Sequence, residues 1–319
     1  MNYGEIIKTA FWITLRNRYL WFFGFFAGGT FSGFNIPSGG SSGFDDNDFD
    51  RASSVPVFVA QVGQQGMFEN VGLIVAIGAL VLVILLVFVI LSLISQGALA
   101  ESVAALDRGE SRRFSSAWRA GISNFWRVLG YYVLFILISL GLLLVIGIPI
   151  ALLLAGVFAA TQSDAARIIT VILAVLAGIV LLIVVFIPLS IIWQFALREV
   201  VVRRERVIDS IGGGYRLFRR NLGKSLLVWL IQLAIWIGAG IALLILILLV
   251  GFILFLPTII LAVAGYTTAA IVAGVVAGLI LLPLVLVASG ALGTFNHSFW
   301  TLAYLRLATL SGEGQPGVR

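Results

Sequence analysis

Apolar residues run without a single charge through five long stretches of the chain: 71–95, 128–160, 168–197, 225–264 and 267–295. The hydrocarbon core of a bilayer is about 30 Å thick and takes about 20 helical residues to cross, so each stretch predicts a membrane-spanning helix. A sixth, shorter segment, 19–34, is rich in Phe, Trp and Gly. A cleaved signal peptide competes for that segment, but the run is aromatic rather than leucine-rich and lacks a clear small-x-small cleavage site. Six spans are therefore expected.

A different period precedes three of these segments. Tyr3, Ile7, Ala10, Phe11 and Thr14 recur at helical spacing opposite Glu5, Lys8 and Arg16. The same holds for Phe114, Trp118, Ile122 and Phe125, and for Val207, Ile208, Ile211, Tyr215, Phe218 and Leu222. Each predicts an amphipathic helix lying in the membrane interface, aromatic face toward the lipid and basic face toward headgroups. In each, an aromatic residue stands six places before an asparagine: Phe11 and Asn17, Trp118 and Asn124, Tyr215 and Asn221. ALAESV (98–103) also returns as ALREVV (196–201). With a period close to 97 residues, the spacing of Asn124 and Asn221, the chain divides into three units, 1–99, 100–197 and 198–319. The expected fold class is an all-α membrane domain in which an interfacial helix plus a hairpin of spans is repeated three times. A Gly/Ser-rich, acidic outside loop, 31–68, interrupts the first unit.

Two apolar stretches are too long for one crossing. A straight helix over 225–264 would measure about 60 Å, and even about 40° of tilt lengthens the path by only about 30%. Gly147 with Pro149, and Gly251 with Pro257, mark the expected breaks, with 149–160 and about 255–264 as short separate segments at the outer interface or tucked into the bundle, in equivalent positions of two units. Equivalent breaks would mark three copies of one fold, whereas an unbroken helix past residue 258, or breaks on opposite membrane sides, would sink the three-repeat model. Pro188 and Pro283 are expected to kink their spans, and Gly178, Gly238, Gly240, Gly274 and Gly278 to close the bundle.

Composition agrees with a lipid environment: 61% of the residues are hydrophobic and 11% charged, and mean hydropathy is +1.13. Of the 20 Lys and Arg residues, all except Arg51 and Arg167 fall on the side holding both termini and the 99–127 and 198–224 segments. Basic residues are retained in the cytoplasm during insertion, so both termini are expected there, in a bacterial cytoplasmic membrane. The net charge of +6 is thus a topology signal before it is anything else, and nucleic acid is not an expected partner.

Chemistry is sparse. With no cysteine and one histidine, His297, a standard zinc site and thiolate catalysis are excluded. His297 reads as a structural residue near the inner end of the last span. The spans hold no ionisable residue, which argues against an ion-coupled transporter. GGGYRLFRRNLGKS (212–225) resembles a phosphate loop only at its end, because Phe218 stands where the pattern requires glycine. Asp46, Asp48 and Asp50 alternate like a calcium loop but lack its glycine and its closing glutamate, with Val57 at the twelfth place. Neither metal nor other cofactor is expected. What remains is basic charge. Arg112, Arg113, Arg119 and Arg127 form one cluster, and Arg203, Arg204, Arg206, Arg216, Arg219, Arg220 and Lys224 another. Each basic side chain near an anionic surface is worth about 1 kcal/mol, so contact with anionic phospholipid headgroups is expected at these residues.

The aromatic-x5-Asn entries and the closing SFWTLAYLRL (298–307) resemble the bacterial integral-membrane family related to the membrane domain of glycerophosphoryl diester phosphodiesterases. In that family catalysis belongs to a separate soluble domain, so the resemblance carries over no catalytic residue. The expected function is non-enzymatic: a lipid-organising membrane protein, or a subunit working with a membrane-protein partner or further copies of itself. The alternative is a translocator of lipid or a small amphiphile through a groove between units.

Overall fold

The computed structural model describes residues 1–28, 71–161 and 163–312. Among these there are eight α-helices and no strand: α1 (Tyr3–Arg16), α2 (Leu20–Gly28), α3 (Val71–Asp107), α4 (Phe114–Ala160), α5 (Asp164–Val202), α6 (Val207–Arg220), α7 (Leu222–Val263) and α8 (Thr267–Leu310). The protein is all-α. Five of the helices, α3, α4, α5, α7 and α8, are long and apolar enough to cross a membrane. It is a multi-pass membrane protein.

The helices pack tightly at one end only. The buried core draws on α1, α2 and α6, the C-terminal ends of α3, α5 and α8, and the first turns of α4 and α7. Beyond that end the apolar side chains face outward: the most hydrophobic windows of α3, α4 and α7 have no buried residue. In water such a surface would be untenable; in lipid it is already in its preferred solvent, and close helix packing gains no hydrophobic energy there.

Side chains of minimal size set the close approaches. A Cβ on Gly293 would lie 2.0 Å from the Gly24 carbonyl oxygen, and one on Gly290 2.4 Å from that of Trp21, so α2 and α8 meet backbone to backbone. Likewise a Cβ on Gly121 would lie 2.4 Å from the Ile94 oxygen, bringing the start of α4 onto α3. On Gly214 it would lie 2.9 Å from the Ile192 oxygen, bringing α6 onto α5. Of the glycines expected to close the bundle, Gly238, Gly240 and Gly278 face open space, Gly178 meets only Ile150 and Gly274 only Thr258. The backbone-to-backbone contacts thus lie at the packed end, while in the apolar halves only Gly178 and Gly274 of these five approach a neighbouring helix, each with a Cβ position 3.3 Å from its neighbour.

Two further expectations are corrected. The overlong segments do not break: α4 runs through Gly147 and Pro149 to Ala160, and α7 through Gly251 and Pro257 to Val263. An unbroken α7 past residue 258 meets the condition that sinks the three-repeat model in its strict form, three copies of one fold with equivalent breaks. Proline removes one backbone hydrogen bond, whereas ending a helix orphans four carbonyls and four N–H groups, which apolar surroundings cannot satisfy. Continuation is cheaper. The second interfacial helix is also not separate, because α4 is continuous from Phe114 through Asn124 into the span. Asn17 and Asn221, by contrast, are non-helical C-caps that end α1 and α6.

Candidate polar and lipid-facing sites

Each entry asparagine does the same local work. Its Nδ2 donates to the carbonyl four residues earlier: Asn17 to Ile13 at 2.9 Å, Asn124 to Ala120 at 2.9 Å and Asn221 to Leu217 at 3.3 Å. Two of them also reach a distant element, Asn124 to Glu101 Oε2 at 2.8 Å and Asn221 to Ser311 Oγ at 2.8 Å. Of the aromatic partners only Trp118 helps to seat its helix, with ring contacts to Phe22 and Phe23 of α2 at 6.3 and 6.2 Å. Phe11 and Tyr215 are exposed, and Trp118 is half-buried against Phe114, stacked at 6.1 Å. The residue just before each aromatic is small and buried: Ala10, Ala117 and Gly214. This small neighbour, buried in all three motifs, is not singled out by the sequence pattern.

The basic clusters lie on the surface of the packed end. Arg113, Arg119, Arg127, Arg204, Arg206, Arg216, Arg219, Arg220 and Lys224 are exposed, while Arg112 and Arg203 are half-buried. The two clusters meet where Arg127 Nη1 donates to the Arg204 carbonyl at 3.5 Å. Carboxylates temper the charge locally. Glu110 accepts from Arg108 at 2.8 Å and from Arg112 at 3.1 Å, and Arg203 lies 3.5 Å from buried Glu199. The Arg108 hydrogen bond, with Arg112 adding to it, holds the Glu110 carboxyl below its usual range. Exposed apolar groups stand beside the cations: Phe11 and Trp12 on α1, Ile122 and Trp126 on α4, Ile208 and Tyr215 on α6. Arg16 lies over the Trp12 ring at 5.4 Å.

Beneath this surface is a set of buried polar groups that sequence reading did not single out. Gln96 Nε2 donates to the Ala27 carbonyl at 2.7 Å, and His297 Nε2 lies 3.3 Å from the same oxygen. His297 is thus a core residue that meets the last turn of α2. Gln232 donates to Asn296 Oδ1, tying α7 to α8. Arg306 pairs with Asp107 through two contacts, 2.9 and 3.2 Å. Arg198 has no exposed surface. The one sequence signal for it was its place in ALREVV, where the matching ALAESV has Ala100. Asp46, Asp48, Asp50 and the 31–68 loop lie outside the described residues.

Among the described residues no three His, Asp or Glu side chains converge as metal ligands. The polar groups therefore tie helix ends together and present cations outward. Residues 17–310, nearly the whole of this architecture, match a single family description. The chain belongs to a family of unknown function, DUF7544. The match begins at Asn17 and ends at Leu310, so the family spans all three entry asparagines and the last helix, but not α1. No curated protein and no solved structure matches the chain.

Proposed function

We propose that the protein is a non-enzymatic, multi-pass organiser of anionic phospholipids, seated with its basic end in the cytoplasmic leaflet of a bacterial membrane. The observation that carries this reading is the segregation of chemistry along the bundle. Exposed arginines and aromatic rings gather at the packed end, and beyond it, apart from Asp164 and Arg167 in the first turn of α5, the polar side chains among the described residues of the long helices are hydroxyls, such as Ser139, Thr170 and Thr258. A translocation route would need polar groups through that second half. The lipid-facing residues of the proposal are the eleven basic side chains Arg112, Arg113, Arg119, Arg127, Arg203, Arg204, Arg206, Arg216, Arg219, Arg220 and Lys224.

The same proposal includes six spans in three related units, with 19–34 as the first span and both termini cytoplasmic. Its support is the shared asparagine geometry and the pairing of elements. The start of α4 packs on α3, α6 on α5, and α1 on α8, so each entry helix rests on the end of another unit's hairpin. The unbroken α4 and α7 weigh against it. The kinship with phosphodiesterase membrane domains belongs here as well, resting on the entry motifs and the closing SFWTLAYLRL segment. A partner-subunit role is compatible with the same surface.

The test is lipid selectivity. Full-length protein in nanodiscs of mixed phosphatidylglycerol and phosphatidylcholine should retain an excess of the anionic lipid. A variant with Arg216, Arg219, Arg220 and Lys224 changed to Gln should lose most of that excess while keeping its helicity. Equal retention of both lipids by the unaltered protein would overturn the reading.

A further inference from the structure

The least expected group in the molecule is the guanidinium of Arg198. It sits on α5 at 0% exposure, and its only hydrogen bonds run from Nη1 to Gln194, to the carbonyl at 2.8 Å and to the side-chain oxygen. Nε and Nη2 are buried without a hydrogen-bond partner. The hydroxyls of Tyr131, Tyr132 and Tyr304 stand near it, neutral and unable to supply a counter-charge, and among the described residues no salt bridge joins it to a carboxylate. Glu199, next in sequence, is directed to Arg203 at 3.5 Å. A guanidinium is always charged, and burying it without a counter-charge costs far more than burying it in an ion pair. The corresponding place on α3 is Ala100, also fully buried, so the packing does not require a charge there.

We propose that Arg198 is the centre of an anion site, built to take a phosphate-type oxyanion between α4 and α5. The Gln194 carboxamide oxygen occupies the place of one anionic oxygen and yields it on binding. Nε and Nη2 supply the remaining donors, in the fork that suits a phosphate. Access runs past Gln194 and Tyr132, which are half-buried where Tyr131 is closed off. The anion has two possible sources, the phosphate of an anionic lipid or free inorganic phosphate. This site is separate from the surface arginines and does not depend on the lipid-organising reading.

The decisive variant is Gln194→Glu, which places a carboxylate on the same atoms and supplies the missing counter-charge from within. Thermal unfolding of the full chain would be followed in phosphatidylcholine nanodiscs alone, with phosphatidylglycerol added, and with inorganic phosphate added. The unaltered protein should gain several degrees of Tm from one of the two additions. A gain from phosphatidylglycerol identifies the lipid source, and one from inorganic phosphate the free anion. Gln194→Glu should match the anion-loaded Tm without either addition and lose most of the response. Arg198→Met, which keeps the bulk and removes the charge, should lose the response as well. If the unaltered protein gains nothing from either addition, or if Gln194→Glu responds as fully as the unaltered chain, the anion site is wrong. The second outcome would leave the surface arginines as the source of the effect.

Discussion

At the scale of single residues, the structure distinguishes glycines that look alike in sequence. Gly293 and Gly121 have backbone oxygens 2.0 and 2.4 Å from where a Cβ would be, whereas nothing lies within 4 Å of that position at Gly238. Gly293→Ala and Gly121→Ala should each destabilise the protein by about 1–3 kcal/mol, because two helices must separate to admit one methyl. Gly238→Ala should be neutral or stabilising by up to about 1 kcal/mol, since alanine is the better helix former. Thermal unfolding in one detergent compares all three, and a cost at Gly238 equal to that at Gly293 would contradict the packing described. Asn124 invites a second test, through its 2.8 Å hydrogen bond to Glu101. Asn124→Ala should cost about 1–2 kcal/mol, and Asn124→Asp more at neutral pH, where two carboxylates would face each other. Lowering the pH below the carboxylate range should narrow the difference between these two variants.

Among the elements, the continuity of α4 and α7 is the feature that physical reasoning from length alone got wrong. Length argued for breaks because a helix near 60 Å exceeds the hydrocarbon thickness. That argument assumed the whole stretch lies within the membrane. The first part of α7 is in the packed end, where Ser225, Val228 and Gln232 are buried, and this shortens the portion that lipid must cover. Spin labels at Leu248 and Ala262 bracket Gly251 and Pro257. An unbroken helix separates the two backbone positions by about 21 Å, whereas a break with the chain folding back would bring them much closer. Pulsed electron paramagnetic resonance reads this distance directly.

For the whole molecule, the outstanding prediction is its direction in the membrane. The chain has no cysteine, so single cysteines introduced for labelling are unambiguous. Arg219 precedes α7 and Tyr266 follows it, so cysteines at these two places should react with an impermeant reagent from opposite faces. The proposed orientation, with the basic end in the cytoplasm, predicts labelling at 219 from the cytoplasmic side and at 266 and 47 from outside. Labelling of a cysteine at 47 from the cytoplasm alone would reverse the orientation and move the basic surface to the other leaflet.

Hydropathy along the chain determined the fold class and the five long helices, because apolar runs near 20 residues have few alternatives to spanning a bilayer as helices. The recurrence of the entry asparagine was legible too, since each asparagine bonds the carbonyl four residues earlier in its own helix, a local contact. Which face of each entry helix packs, and which glycines touch, depended on partners far away in the chain. Gly24 against Gly293, and Gly121 against Ile94, are examples. The same is true of charge. Counting placed Arg198 with the other basic residues of the inner surface, and only the arrangement of α4, α5 and α8 around it puts that one guanidinium in the core. Sequence patterns record the solvent each segment prefers; burial of a particular side chain is decided by which other segments come to cover it.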